Sequence, residues 1–108
     1  MEKVQSGSRT LKISDEVLCK VAALAAQDVE GVAELSGRKL CTLFSAPVEI
    51  ENLDGAIAVR VRVILKSGYR AVSVAKQVQQ AVKQGVQDMT GVTAVHVDVE
   101  ISGVEAEN

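Results

Sequence analysis

The chain has 108 residues, which fits one domain and leaves no room for two. Hydrophobic residues make up 47% of it, yet Phe44 and Tyr69 are the only aromatics, so the core must be built from Val, Ala, Leu and Ile, a bias that favours strands. A formal net charge of -2 argues against a nucleic-acid binder working through bulk positive charge.

Residues 1–9 are mixed polar and read as a flexible N-terminal arm ahead of a single domain at 10–104. Residues 10–13 could add a short N-terminal edge strand, and residues 105–108 form a short acidic tail. Nothing in the first twelve residues resembles the apolar run of an export signal. The apolar stretch at 17–26 is interrupted by Lys20 and falls short of the roughly 20 residues a membrane span needs.

A first helix is predicted over residues 15–29. Ser14 is suited to cap it by accepting from free N–H groups of the first turn, where Asp15 and Glu16 also suit the helix dipole. Val17, Val21, Leu24 and Ala25 recur at helical spacing, with Leu18 and Ala22 alongside, and Gly31 suits a left-handed stop. Residues 35–47 read as a loop, apolar at Leu40, Cys41, Leu43 and Phe44 and closed by Pro47.

Residues 48–51 alternate as a strand, and Asn52-Leu53-Asp54-Gly55 reads as a turn with glycine at the left-handed position. Residues 56–66 then alternate strongly. Ile57, Val59, Val61, Val63 and Leu65 face one way; Ala58, Arg60, Arg62, Ile64 and Lys66 face the other. A second helix covers residues 70–89, with Val74, Val78, Ala81, Val82 and Gly85 near one face, extended by Val86 and Met89. Residues 93–102 alternate again, Val95, Val97, Val99 and Ile101 against Ala94, His96, Asp98 and Glu100.

The order is helix-strand-strand-helix-strand. Because each strand has one apolar face, the expected fold is an α/β chain of the α+β two-layer sandwich kind: a three-stranded mixed sheet with two helices on one face. The second helix is long enough to return the last strand parallel to the one before it.

No catalytic constellation emerges. His96, the only histidine, alternates onto the solvent face, and no second histidine or placed cysteine accompanies it for a metal or a triad. Cys19 and Cys41 lack CxxC spacing and read as reduced thiols. Neither GxGxxG nor GxxxxGK[ST] is present. Thus no catalytic, metal or cofactor-binding residue is assigned. Glu49, Glu51, Asp98 and Glu100 share the face of Arg60 and Arg62, which reads as cross-strand charge pairing, or, functionally, as a docking surface. The candidate interaction residues are Arg60 and Arg62 on the sheet, and Leu40, Leu43 and Phe44 in the apolar loop.

Ile13-Ser14-Asp15-Glu16-Val17-Leu18, then Val21-Ala22-Ala23-Leu24-Ala25-Ala26, then Val29-Glu30-Gly31-Val32 resembles the opening of the alkaline shock protein 23 family, the envelope stress response proteins. The valine-rich strand up to Leu65, the helix segment from Val74 to Val82, and Val95-His96-Val97-Asp98-Val99 continue the resemblance across about residues 10–104. Gly68 before Tyr69 reverses the order expected, and residues 38–47 lack the glycine-rich stretch of the family.

The resemblance implies a non-enzymatic cytoplasmic protein of Gram-positive bacteria. It would act as a scaffold or protein-binding module in envelope stress response or homeostasis. It would self-associate and reach the membrane through a membrane-anchored protein partner, without inserting directly, and it would need neither cofactor nor nucleic acid. Alternatives are a KH-like nucleic-acid module, which lacks its GxxG loop here, and a metal or iron–sulfur accessory domain, which lacks its cysteines.

Overall fold

A computed structural model describes residues 3–6, 9–35 and 47–105. The elements in order are β1 (Lys3–Ser6), β2 (Arg9–Lys12), α1 (Asp15–Gln27), β3 (Val32–Leu35), β4 (Val48–Leu53), β5 (Ala56–Lys66), α2 (Ala71–Thr90) and β6 (Ala94–Glu105). The α+β sandwich is the observed fold, with α1 and α2 packed on one side of a mixed sheet.

β5 is the spine. β6 runs parallel along one edge of it, from Ile57↔Ala94 to Lys66↔Glu105. The other edge is shared end to end: β4 pairs antiparallel with residues 56–61, and β3 pairs antiparallel with residues 63–65. The sheet therefore has four strands, β3 being the one absent from the three-stranded expectation. Val32-Ala33-Glu34-Leu35 shows no period of two because a bulge between Val32 and Glu34 breaks its phase. β1 and β2 pair with each other, Lys3↔Lys12 through Ser6↔Arg9, in a separate two-stranded sheet, so β2 is not an edge strand of the main sheet.

α1 starts where Ser14 accepts a hydrogen bond from the Val17 N–H at 3.3 Å. It ends earlier than the pattern suggests, at Asp28, whose N–H donates back to Leu24. Gly31, at φ +101°, makes the bend into β3 rather than the cap itself. α2 ends on Gly91, left-handed at φ +77°. The β4–β5 connection is tighter than expected: Leu53 pairs with Ala56, and Gly55 takes φ +80° between them.

The core lies between sheet and helices. From β5 it takes Ile57, Val59, Val61, Val63 and Leu65; from α2, Val74, Val78, Val82 and Val86; from α1, Leu18, Ala22 and Ala26. The buried stripe of α1 is thus rotated from the predicted one, since Val17 and Leu24 are exposed. Along β6 the register slips twice, at Val95 and again at Ser102, which is skipped between Val63↔Ile101 and Ile64↔Gly103. Ile57 pairs with Ala94 but Ala58 pairs with His96, so Val95 is the extra residue of a bulge. Ala94 is consequently buried and Val95 exposed, the reverse of a uniform alternation.

Candidate interaction surfaces

The open face of the sheet carries Ala58, Arg60, Arg62 and Ile64 of β5, in register with Glu49 and Glu51 of β4, Glu34 of β3, and His96, Asp98 and Glu100 of β6. Arg62 sits at the centre. Its Nη2 donates to Glu49 Oε2 at 3.1 Å, and its Nε lies 3.8 Å from Glu100 Oε2. With its side chain only 29% exposed, Arg62 is engaged by its own sheet rather than held out to a partner.

Arg60 is exposed, flanked in register by Glu49 and Asp98, and among the described residues makes no ion pair. Carboxylates outnumber guanidinium groups on this face, so its field repels polyanions. Leu40, Leu43 and Phe44, the other candidate residues, lie outside the described residues.

His96 is exposed on the open face, as its alternation predicts, and borders a hollow with Gln79, Lys83 and Asp98. Among the described residues no cluster of His, Cys, Asp and Glu could hold a metal ion. Cys19 is a free thiol whose Sγ lies 3.8 Å from the Val48 carbonyl oxygen. Burial, and secondarily the Asp15 carboxylate, push its pKa up, which makes it a poor nucleophile.

On the helical side lies a second surface. Val21, Leu24 and Ala25 of α1, with Asp28 at its C-cap, face Gly85 and Met89 of α2 across a groove of about 400 Å³. Leu24 is 68% exposed and Met89 72%, so the rim is apolar and open to water. Gly85 forms the floor, where a Cβ would come 3.0 Å from that of Ala25. The missing side chain lets the helices approach and leaves the groove empty above them. Helical spacing alone assigns Leu24 and Met89 to the core. Their exposure depends on where α1 crosses α2, which no local pattern encodes.

At the far end of the same helix pair, Tyr69 packs over Gly31 and its hydroxyl donates to Glu30 Oε2 at 2.9 Å. That hydrogen bond, then burial, then the negative charge of Glu30, raise the tyrosine pKa. No helix among the described residues is long and apolar enough to cross a membrane.

An uncharacterized protein of Streptococcus pyogenes, Spy1535, is 29% identical over 102 residues, which cover 88% of this chain and 78% of that one. The uncharacterized protein YqhY of Bacillus subtilis is 25% identical over 103 residues, 88% of this chain and 76% of its own. Among solved structures, one MamM-CTD variant superposes with a TM-score of 0.56 at 14% identity, covering 85% of this chain and all (100%) of that chain. Another MamM-CTD structure gives 0.53 at 15% identity, covering 87% and 100%. At such identity the likeness is one of fold. The profile of the alkaline shock protein 23 family, described as having a cell envelope-related function, matches residues 3–106, and the chain belongs to that family.

Proposed function

We propose that this protein is a non-enzymatic scaffold at the inner face of the cell envelope, one that binds a membrane-anchored protein and associates with further copies of itself. The observation that carries the reading is the groove between α1 and α2. An isolated domain gains nothing from leaving Leu24 and Met89 in water around a glycine floor, whereas a protein surface that fills the groove buries both. The family's envelope-related function gives the setting. The engaged Arg62 and the depressed reactivity of Cys19 fit a chain that does no chemistry of its own. A KH-like nucleic-acid role is disfavoured by the acidic open sheet face.

The test is co-sedimentation with membranes from cross-linked cells. Replacing Leu24 and Met89 with serine should leave thermal unfolding within about 0.5 kcal/mol of wild type, since both are surface positions. The membrane-bound share should fall severalfold. Unchanged membrane recovery with both serines in place removes the groove from the reading.

A further inference from the structure

We propose that the outer edge of β6 receives the N-terminal hairpin of a second copy, which extends the sheet from one molecule to the next. The proposal rests on the scaffold reading above and supplies a geometry for its self-association.

β6 is twelve residues long, Ala94–Glu105. Among the described residues it pairs only with β5, so its other edge is an unused template for a further strand. The direction of that edge is fixed by one contact. Gln79 of α2 donates from Nε2 to the Val97 carbonyl at 3.0 Å, from outside the β5–β6 ladder. Alternate residues of a strand direct their N–H and C=O to opposite edges, so Val99 and Ile101 also present theirs outward.

The chemistry along this edge selects its occupant. From Asp98 onward β6 carries Asp98, Glu100 and Glu105 and no basic residue. Asp98 and Glu100 are exposed on the open face, while Val99 and Ile101 are half-buried on the other. Val72 is 68% exposed in the first turn of α2, at the end of the sheet where Lys66 pairs with Glu105. A strand fitted here should therefore combine basic residues with apolar ones.

A second β6 fails that requirement. Pairing two copies edge to edge in antiparallel fashion would align the acidic stretch of one with that of the other, and like charges on neighbouring strands repel. The hairpin meets it. β1 and β2 contain Lys3, Arg9 and Lys12 with Val4 and Leu11, and no acid. Among the described residues the hairpin pairs with no other strand, and a two-stranded ribbon alone is marginal in water, so it gains from a third strand. Because donor and acceptor are different surfaces, the contact is head-to-tail and generates chains of molecules rather than closed dimers.

The experiment measures the mass of the full chain by light scattering against concentration and salt, with circular dichroism to verify folding. Wild type should assemble, less so at high salt. Asp98→Lys with Glu100→Lys should raise the concentration needed for assembly by about tenfold or more, as should Lys3→Glu with Arg9→Glu and Lys12→Glu. All five substitutions in one chain should restore assembly. Val99→Pro removes an outward N–H at a position where an edge strand tolerates proline, and should block assembly in a folded chain. Should the reversed edge fail to fold, the hairpin reversal and Val99→Pro still decide.

A wild type that stays monomeric overturns the proposal. So does an edge- or hairpin-reversed chain, or a folded Val99→Pro chain, that assembles normally. A five-fold variant that folds without regaining assembly also overturns it. A monomeric wild type that still reaches membranes through Leu24 and Met89 would leave the binding of a membrane-anchored protein standing and remove self-association.

Discussion

Replacing Gly31 with alanine separates backbone strain from packing in the bend between α1 and β3. Gly31 holds φ at +101°, and its carbonyl accepts from the Lys66 N–H at 2.7 Å, so the bend is tied to β5. A Cβ at this position would lie 2.7 Å from Val74 Cγ2 and 2.9 Å from Tyr69 Cδ2. The left-handed backbone costs a non-glycine residue about 1–2 kcal/mol, and forcing a methyl into a packed site adds about 1–3 kcal/mol. Gly31→Ala should thus lose about 2–5 kcal/mol. Gly55 is the control, because it holds φ at +80° with nothing within 4 Å of its would-be Cβ. Gly55→Ala should show only the backbone part, about 1–2 kcal/mol.

Urea unfolding followed by circular dichroism reads both. With a slope of about 1–3 kcal/mol per molar, the midpoints of the two variants should differ by about 1 M. Adding Tyr69→Ala to Gly31→Ala removes one of the two obstacles, so the double variant should be more stable than the sum of the singles. Equal losses at Gly31 and Gly55, or strict additivity with Tyr69→Ala, would refute the packing part of the reasoning.

Arg62→Ala should cost at most about 1 kcal/mol by chemical denaturation, because its pairs with Glu49 and Glu100 lie on an open face and are screened, and the cost should shrink in high salt. Tyr69 should ionise above the ordinary tyrosine range, read by the phenolate absorbance on titration, and Glu30→Ala should bring the midpoint down. The sign follows from the raised pKa: any stability from this contact is complete below the unfolded tyrosine's pKa and is lost as pH climbs through the folded one. A midpoint unmoved by Glu30→Ala would show that the hydrogen bond does not set it.

How legible the fold was depended on how local its cause is. The alternation of β5 appears in the sequence as it does in space, because both its edges are paired and a single register slip would bury Arg60 and Arg62. The Ser14 cap and the left-handed Gly55 and Gly91 are equally local events. The bulge at Val95 escaped because His96-Val97-Asp98-Val99 continues an alternation that runs smoothly through it. β3 escaped because its four residues carry a bulge of their own. The site was less legible than the fold. Alternation puts Arg60 and Arg62 on the correct face, but the engagement of Arg62 by Glu49 and Glu100 depends on which strands flank β5. Leu24 and Met89 look like core until the helix crossing is known.

The shared edge of β5 has a consequence for how relatives can differ. Leu35 sits opposite Val63, Val48 opposite Val61, and the Pro47 carbonyl accepts from the Arg62 N–H at 2.8 Å between them. The backbone leaves the sheet and rejoins it at adjoining rungs, so what lies between is stitched to both anchors whatever its span. Lengthening such an excursion twofold costs only about 0.6 kcal/mol of closure entropy. Closure entropy alone therefore sets little limit on the length of chain between Leu35 and Pro47.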